Sequence, residues 1–108
     1  MTDKRIVLTT IGSKGEAEDL AWELVERKLV ACVNIIEMHA SIYRWKGEIK
    51  SEKECLLLIK TTAGASEELI AAIRELHPYE VPEYIELPIV AGGSKYLDWI
   101  AASVEVPA

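Results

Sequence analysis

Apolar residues recur along this chain with two periods, near two and near 3.6, and the switches between them outline the elements. Arg5-Ile6-Val7-Leu8-Thr9-Thr10-Ile11 is β-branched and almost continuously apolar, which predicts a buried strand. Gly12 breaks the run, and Ser13-Lys14-Gly15-Glu16 fits a capping box, in which Ser and Glu satisfy free amides at a helix start. Ala17, Leu20, Ala21, Leu24, Val25 and Lys28 then fall on one helical stripe, with Trp22 on its flank. From Val30 to Trp45 the period returns to two. Ala31, Val33 and Ile35 share one phase, and Ile36, Met38, Ala40 and Ile42 share the other. The slip at Ile35–Ile36 predicts a bulge or bend between two strand pieces. Lys46-Gly47 is a two-residue hairpin loop. The return strand runs from Glu48 to Thr61, polar on both faces over Lys50–Glu54 and apolar on both over Cys55–Ile59. The apolar half is therefore central in a sheet.

Gly64 ends that strand. Ser66-Glu67-Glu68 opens a second helix with acids in its first turn, and Leu69, Ala72, Ile73 and Leu76 form its inner stripe. Pro78 ends it, because a residue before proline is pushed towards extended angles. His77-Pro78-Tyr79-Glu80-Val81-Pro82-Glu83 is a stiff loop with two prolines. Tyr84 to Val90 reads as a fourth strand, and Pro88 inside it places it at a sheet edge. Gly92-Gly93 breaks the chain, and Ser94 caps a short last helix, Lys95 to Ser103. The tail, residues 104–108, is unassigned.

The order β-α-β-β-α-β-α with right-handed crossovers predicts an α+β, ferredoxin-like βαββαβ sandwich with a short C-terminal helix. One domain over residues 1–108 is expected from the length. The first and third strands are then central. Strands two and three of about 14 residues, at about 3.3 Å each, make a hairpin of about 46 Å. A domain this size has a radius of gyration of about 13 Å. The hairpin must overhang its own core, and an isolated ribbon is marginal in water. A homotrimer, in which the overhang packs on a neighbour, is the expectation.

Charge narrows the partners. The net charge of −6 disfavours nucleic acid and an anionic membrane surface, and it suits cations. No signal-peptide pattern precedes the first strand, and no apolar run reaches the ~20 residues of a membrane span, so the cytoplasm is the default location. The two cysteines, Cys32 and Cys55, lie in apolar runs and read as free thiols of a reducing compartment. No phosphate-binding glycine loop and no nucleophile elbow occurs, so a non-catalytic protein is expected, with no organic cofactor.

His77 is the sharpest chemical candidate. Imidazole is a good ligand for copper and zinc, and here it stands on a fixed backbone with Glu80 and Glu83 nearby. A purely structural loop at a protein–protein contact competes with that reading. Cys32 is a second candidate, since thiolates favour soft copper, against the alternative of a packed strand residue. His39 follows Met38, but adjacent strand residues point to opposite faces and cannot chelate together. Tyr43, Trp45, Tyr79, Tyr84, Tyr96 and Trp99 gather around the hairpin tip, the proline loop and the last helix. Without a basic surround they read as a subunit interface, with Trp45 at the tip as anchor.

Four segments carry a resemblance: Leu29-Val30-Ala31-Cys32-Val33-Asn34, Ser41-Ile42-Tyr43-Arg44-Trp45-Lys46-Gly47-Glu48-Ile49, Leu58-Ile59-Lys60-Thr61 and His77-Pro78-Tyr79-Glu80-Val81-Pro82-Glu83. In order and spacing the whole chain resembles the CutA divalent-cation tolerance family. The resemblance implies a ferredoxin-like protomer, a tight trimer and a role in tolerance of divalent cations, copper in particular. It implies Cu(II) or another divalent cation as the ligand of His77, Glu80, Glu83 and, less directly, Cys32. Some family members carry a Cys in the first strand and a second His beside the one before proline. Thr9 and Leu76 stand there in this chain, which weakens a strong copper site. Such a trimer also resembles PII-type signalling proteins, so a sensor of a small molecule at the subunit clefts is the alternative function.

Overall fold

The computed structural model describes residues 2–105; Met1 and residues 106–108, the end of the unassigned tail, lie outside the described residues. The elements are β1 (Lys4–Ile11), α1 (Lys14–Glu26), β2 (Cys32–Glu37), β3 (Ser41–Trp45), β4 (Glu48–Glu52), β5 (Cys55–Thr62), α2 (Ser66–Leu76), β6 (Ile85–Pro88) and α3 (Ser94–Ser103). A 3-10 turn, Ala63–Ala65, leads into α2. A four-stranded antiparallel sheet has the order β2-β5-β1-β6, the ferredoxin-like arrangement with β1 and β5 central. β3 and β4 form a separate two-stranded ribbon.

Local chemistry explains the element ends. The Ser13 hydroxyl accepts the Glu16 backbone N–H at 3.2 Å and donates to the Glu16 carboxylate at 2.9 Å, closing the N-terminus of α1. The helix stops at Glu26, so Lys28, with φ of 59°, lies beyond it, and Val25 is exposed. The stripe that packs is Ala17, Leu20, Ala21 and Leu24. The hairpin turns at Lys46 and Gly47 with φ of 50° and 82°, the positive pair that a tight turn between right-twisted strands requires. Gly93, not Ser94, is the N-cap of α3, and Ser94 begins the helix. β6 is shorter than the run from Tyr84 to Val90; it pairs only with β1, leaving Pro88 at its end on an edge strand.

One face of the sheet is the core. Val7, Ile11, Cys55, Leu57 and Ile59 pack beneath α1 and α2 against Leu20, Leu24, Leu69 and Ile73. The other face is apolar too. Ladder register places Asn34, Leu58, Leu8 and Ile85 in one row of it, and Ile36, Leu56 and Thr10 in the next. The phase slip at Ile35–Ile36 is therefore no bulge. β2 pairs without interruption from Cys32↔Lys60 to Glu37↔Cys55, and Ile35 points to the core while Ile36 points to the second face. The chain bends instead at Met38–Ala40 and, on the return, at Lys53–Glu54, where the ribbon leaves the sheet.

α3 lies on this second face near the β2 end. Tyr96 Oη stands 3.8 Å from Cys32 Sγ, and Ile100 is fully buried. The rest of the face is open. Ile36, Ile85 and Leu87 are 44%, 45% and 43% exposed. The long axis of the protomer is 44 Å against 27 and 22 Å for the others, and the radius of gyration is 14.4 Å, above the ~13 Å of a compact chain of this length.

Candidate functional site

The proline loop begins where α2 must end. The backbone N–H of His77 still donates to Ile73 O at 2.8 Å, but His77 has φ of −80° and ψ of 133°, the extended angles that Pro78 enforces. That turn drives the imidazole inward, where it is 6% exposed. Nε2 donates to the Thr10 carbonyl of β1 at 2.7 Å, and Nδ1 accepts the Tyr79 backbone N–H at 3.1 Å. The pattern fixes the Nε2–H tautomer and uses both ring nitrogens. The Tyr79 ring meets the imidazole edge-on, 4.7 Å between centroids.

Tyr79 then reaches across to the point where the ribbon leaves the sheet. Its hydroxyl donates to Glu54 Oε2 at 2.7 Å. Glu54, in the stretch that reads as polar on both faces, is only 8% exposed. Burial, and after it the Glu54 carboxylate, hold the Tyr79 phenol well above its ordinary range. Burial and then Glu52 push the Tyr43 phenol up as well. Gly12 sits beside this contact; a Cβ there would stand 3.3 Å from Tyr79 Oη.

Between the ribbon and the proline loop runs a cleft of about 720 Å³. Thr10, Ser41, Ile42, Tyr43 and Trp45 line one side of it, and Tyr79 to Glu83 the other, with Glu52 and Glu54 also in its lining. Four carboxylates line it, and among the described residues no lysine or arginine belongs to the lining. Trp45 is half-buried in this lining; Ile42 and Ile49, which the ladder places on the ribbon face away from Trp45, are 73% and 69% exposed, with Ile42 still bordering the cleft. A second cleft of about 430 Å³ lies on the other side of Glu54, lined by Gly12–Lys14, Glu37–His39 and Lys53–Cys55.

The structure thus gathers Glu80 and Glu83 with Glu52, Glu54, Tyr43, Trp45 and Tyr79. His77 lies behind the loop and braces it. Cys32 stands apart on β2 beside Tyr96, and Cys55 is buried; both are free thiols. Among the described residues, no three His, Cys, Asp or Glu side chains converge as a set of metal ligands. Of the other aromatics, Tyr84 packs on the protomer core and donates to Glu86 at 3.3 Å, while the Tyr96 and Trp99 rings of α3 meet at a tilt, 5.5 Å between centroids. Sequence patterning passed over Glu54 because a Glu that follows Glu52 and Lys53 reads as solvated. Its one signal is its position immediately before the apolar run of β5.

Residues 5–103 match the family model described as CutA1 divalent ion tolerance protein. The chain belongs to the CutA1 family. It is 47% identical over 97 residues to the divalent-cation tolerance protein CutA of Thermus thermophilus, covering 90% of this chain and 94% of that one. The solved structure of the Thermus thermophilus protein superposes with a TM-score of 0.90 at 45% identity, over 94% of this chain and 99% of that one. A chloroplastic CutA of Arabidopsis thaliana is 41% identical over 91% of this chain, which spans 54% of the plant protein. The chain therefore covers nearly all of a bacterial relative and about half of the plant one. A chloroplastic member means that the family as a whole does not fix a compartment. Among the described residues, no helix is long and apolar enough to cross a membrane.

Proposed function

We propose that the protein is a non-catalytic homotrimer that serves tolerance of divalent cations by binding the ion in the acidic cleft. The observation that carries the binding is the charge of the cleft, whose lining among the described residues holds four carboxylates and no lysine or arginine. Carboxylate and phenol oxygens are hard donors that suit divalent cations. A given donor set holds Cu(II) more tightly than the other divalent first-row ions, so copper is the first ion to try. Glu80 and Glu83 supply oxygens from the loop, and water completes the shell, since among the described residues no third such side chain converges with them. His77 holds the loop in register, and it joins as a nitrogen ligand only by releasing the Tyr79 N–H. Cys32 takes no part.

The trimer rests on the second sheet face. Leu8, Leu56, Leu58, Ile36, Ile85 and Leu87 form a contiguous apolar surface on two central and two edge strands. Monomeric proteins rarely expose apolar patches beyond a few hundred Å². The ribbon, standing off its own sheet with Ile42 and Ile49 outward, supplies the arm that reaches a neighbour. Tyr43, Trp45, Tyr79, Tyr84 and Trp99 border that contact. The free cysteines fit a reducing compartment, and the cytoplasm is proposed.

Calorimetric titration with Cu(II) tests the binding. Wild type should bind about one ion per chain, and the Glu80→Gln/Glu83→Gln variant at least ~10-fold more weakly, the loss of roughly one charged oxygen ligand's contribution. Equal binding by the two proteins would remove the cleft from the account.

A further inference from the structure

We infer that the outward face of α1 docks a segment of another protein in which arginine alternates with aliphatic side chains. The inference goes beyond the metal reading and does not depend on it. Its starting point is Trp22. Ala17, Leu20, Ala21 and Leu24 seat α1 on the sheet, and Trp22 lies off that stripe, 74% exposed. Val25, one turn further on, is 42% exposed beside it. A single apolar residue at a surface is ordinary, but this pair adjoins an apolar groove. The groove, about 300 Å³, runs between α1 and the turn from α2 into the proline loop. Ile11, Leu20, Leu76 and Pro78 give it apolar walls, and Asp19, one helical turn from Trp22, belongs to its lining. The trimer proposed above uses the opposite face of the sheet, so Trp22 and the groove stay accessible in it.

The charges around this apolar surface say which partner. α1 carries five acids, Glu16, Glu18, Asp19, Glu23 and Glu26, against one base, Lys14. Glu16 is engaged by Ser13, and Glu23 by Arg27. Glu18, Asp19 and Glu26 stand three or four residues from Trp22, the spacing at which side chains on a helix meet. None of these three takes part in an ion pair among the described residues. An indole face with carboxylates beside it suits a guanidinium, which stacks on the ring and pairs with the acids in the same pose. An aliphatic neighbour then fills the groove. Apolar anchor and charged surround reproduce the centre and rim of a protein–protein interface, and tryptophan is among the residues most enriched at the energetic centres of such contacts. The same charges repel nucleic acid and an anionic bilayer.

The test is calorimetric titration of the intact protein with a short peptide in which arginine and leucine alternate. Two companion peptides separate charge from apolar contact, one with citrulline in place of arginine and one with glycine in place of leucine. The arginine–leucine peptide should bind at least ~10-fold more tightly than either companion. Trp22→Ala should weaken it at least ~10-fold, the scale of an interface anchor. A side chain this exposed can be removed without loss of fold, so the melting temperature, sedimentation and Cu(II) binding of the variant should match wild type. Glu18→Gln/Asp19→Asn/Glu26→Gln should weaken the arginine–leucine peptide and leave the citrulline peptide unchanged. No binding up to about 1 mM would overturn the inference. So would equal binding of the glycine companion, or equal binding by Trp22→Ala, since either leaves only diffuse attraction between charges. A change in sedimenting mass on Trp22→Ala would assign the residue to self-assembly. Capture of wild type, but not of Trp22→Ala, by phosphatidylcholine vesicles would assign it to a membrane. Either result overturns the inference too.

Discussion

Replacing His77 by alanine separates its two roles, brace and ligand. The imidazole makes one hydrogen bond to the Thr10 carbonyl at 2.7 Å and receives one from the Tyr79 N–H at 3.1 Å, both in a site where it is 6% exposed. Each such bond contributes about 1 kcal/mol net. The edge-on contact with Tyr79 adds about another 1 kcal/mol. The variant should therefore lose about 3 kcal/mol, before any further cost for the cavity. With an m-value of about 2 kcal/mol/M in urea, the unfolding midpoint moves down by about 1.5 M. Equilibrium urea unfolding, at one protein concentration for both proteins because assembly couples to stability, reads this directly. A copper ligand behaves differently, since its lone pair must be free. If His77→Ala keeps its midpoint within about 0.25 M, or ~0.5 kcal/mol, yet abolishes Cu(II) binding, the bracing role is wrong and His77 is a ligand after all.

Alkaline pH tests the phenol network. The Tyr84 phenol is pushed up to about 12 by burial and then by Glu86, and Tyr79 is also raised. The folded state thus prefers the neutral phenols, so their stabilisation is complete below the ordinary value of about 10 and is lost as pH climbs towards 12 and beyond. Melting temperature should fall across that window, and the Tyr79→Phe/Tyr84→Phe protein should show a shallower fall. The two faces of β5 give a paired test. Leu57, fully buried under the helices, should cost about 3 kcal/mol as alanine in any assembly state. Leu58→Glu, on the open face, should leave secondary structure intact by circular dichroism and abolish assembly in sedimentation.

Much of the architecture is legible in the residues because strand and helix periods differ so plainly here. The capping box at Ser13, the turn at Lys46-Gly47 and the edge placement of Pro88 each rest on a local rule that nothing tertiary overrides. The readings that changed concern what a strand faces. Ile35 and Ile36 look like a register slip when one face is assumed wet, and they are regular when both faces are apolar. Trp45 reads as an anchor for a neighbouring subunit when the ribbon is drawn straight from the sheet, and the bends at Met38–Ala40 and Lys53–Glu54 also bring it into the lining of a cleft beside its own proline loop. His77 stands out in sequence by residue type. What sequence does not carry is the path of the loop, which spends both imidazole nitrogens on backbone. Glu54 is the converse case, a charged residue in a charged run whose burial depends on Tyr79, 25 positions away.

The open sheet face decides the assembly, because a second apolar face on a small sheet demands a partner. Sedimentation equilibrium of the intact chain at low micromolar concentration tests it most directly. The expected result is a single species at three times the 12.0 kDa chain mass, unchanged on dilution. A stable monomer with its Leu8, Leu58 and Ile85 row left in water would contradict it.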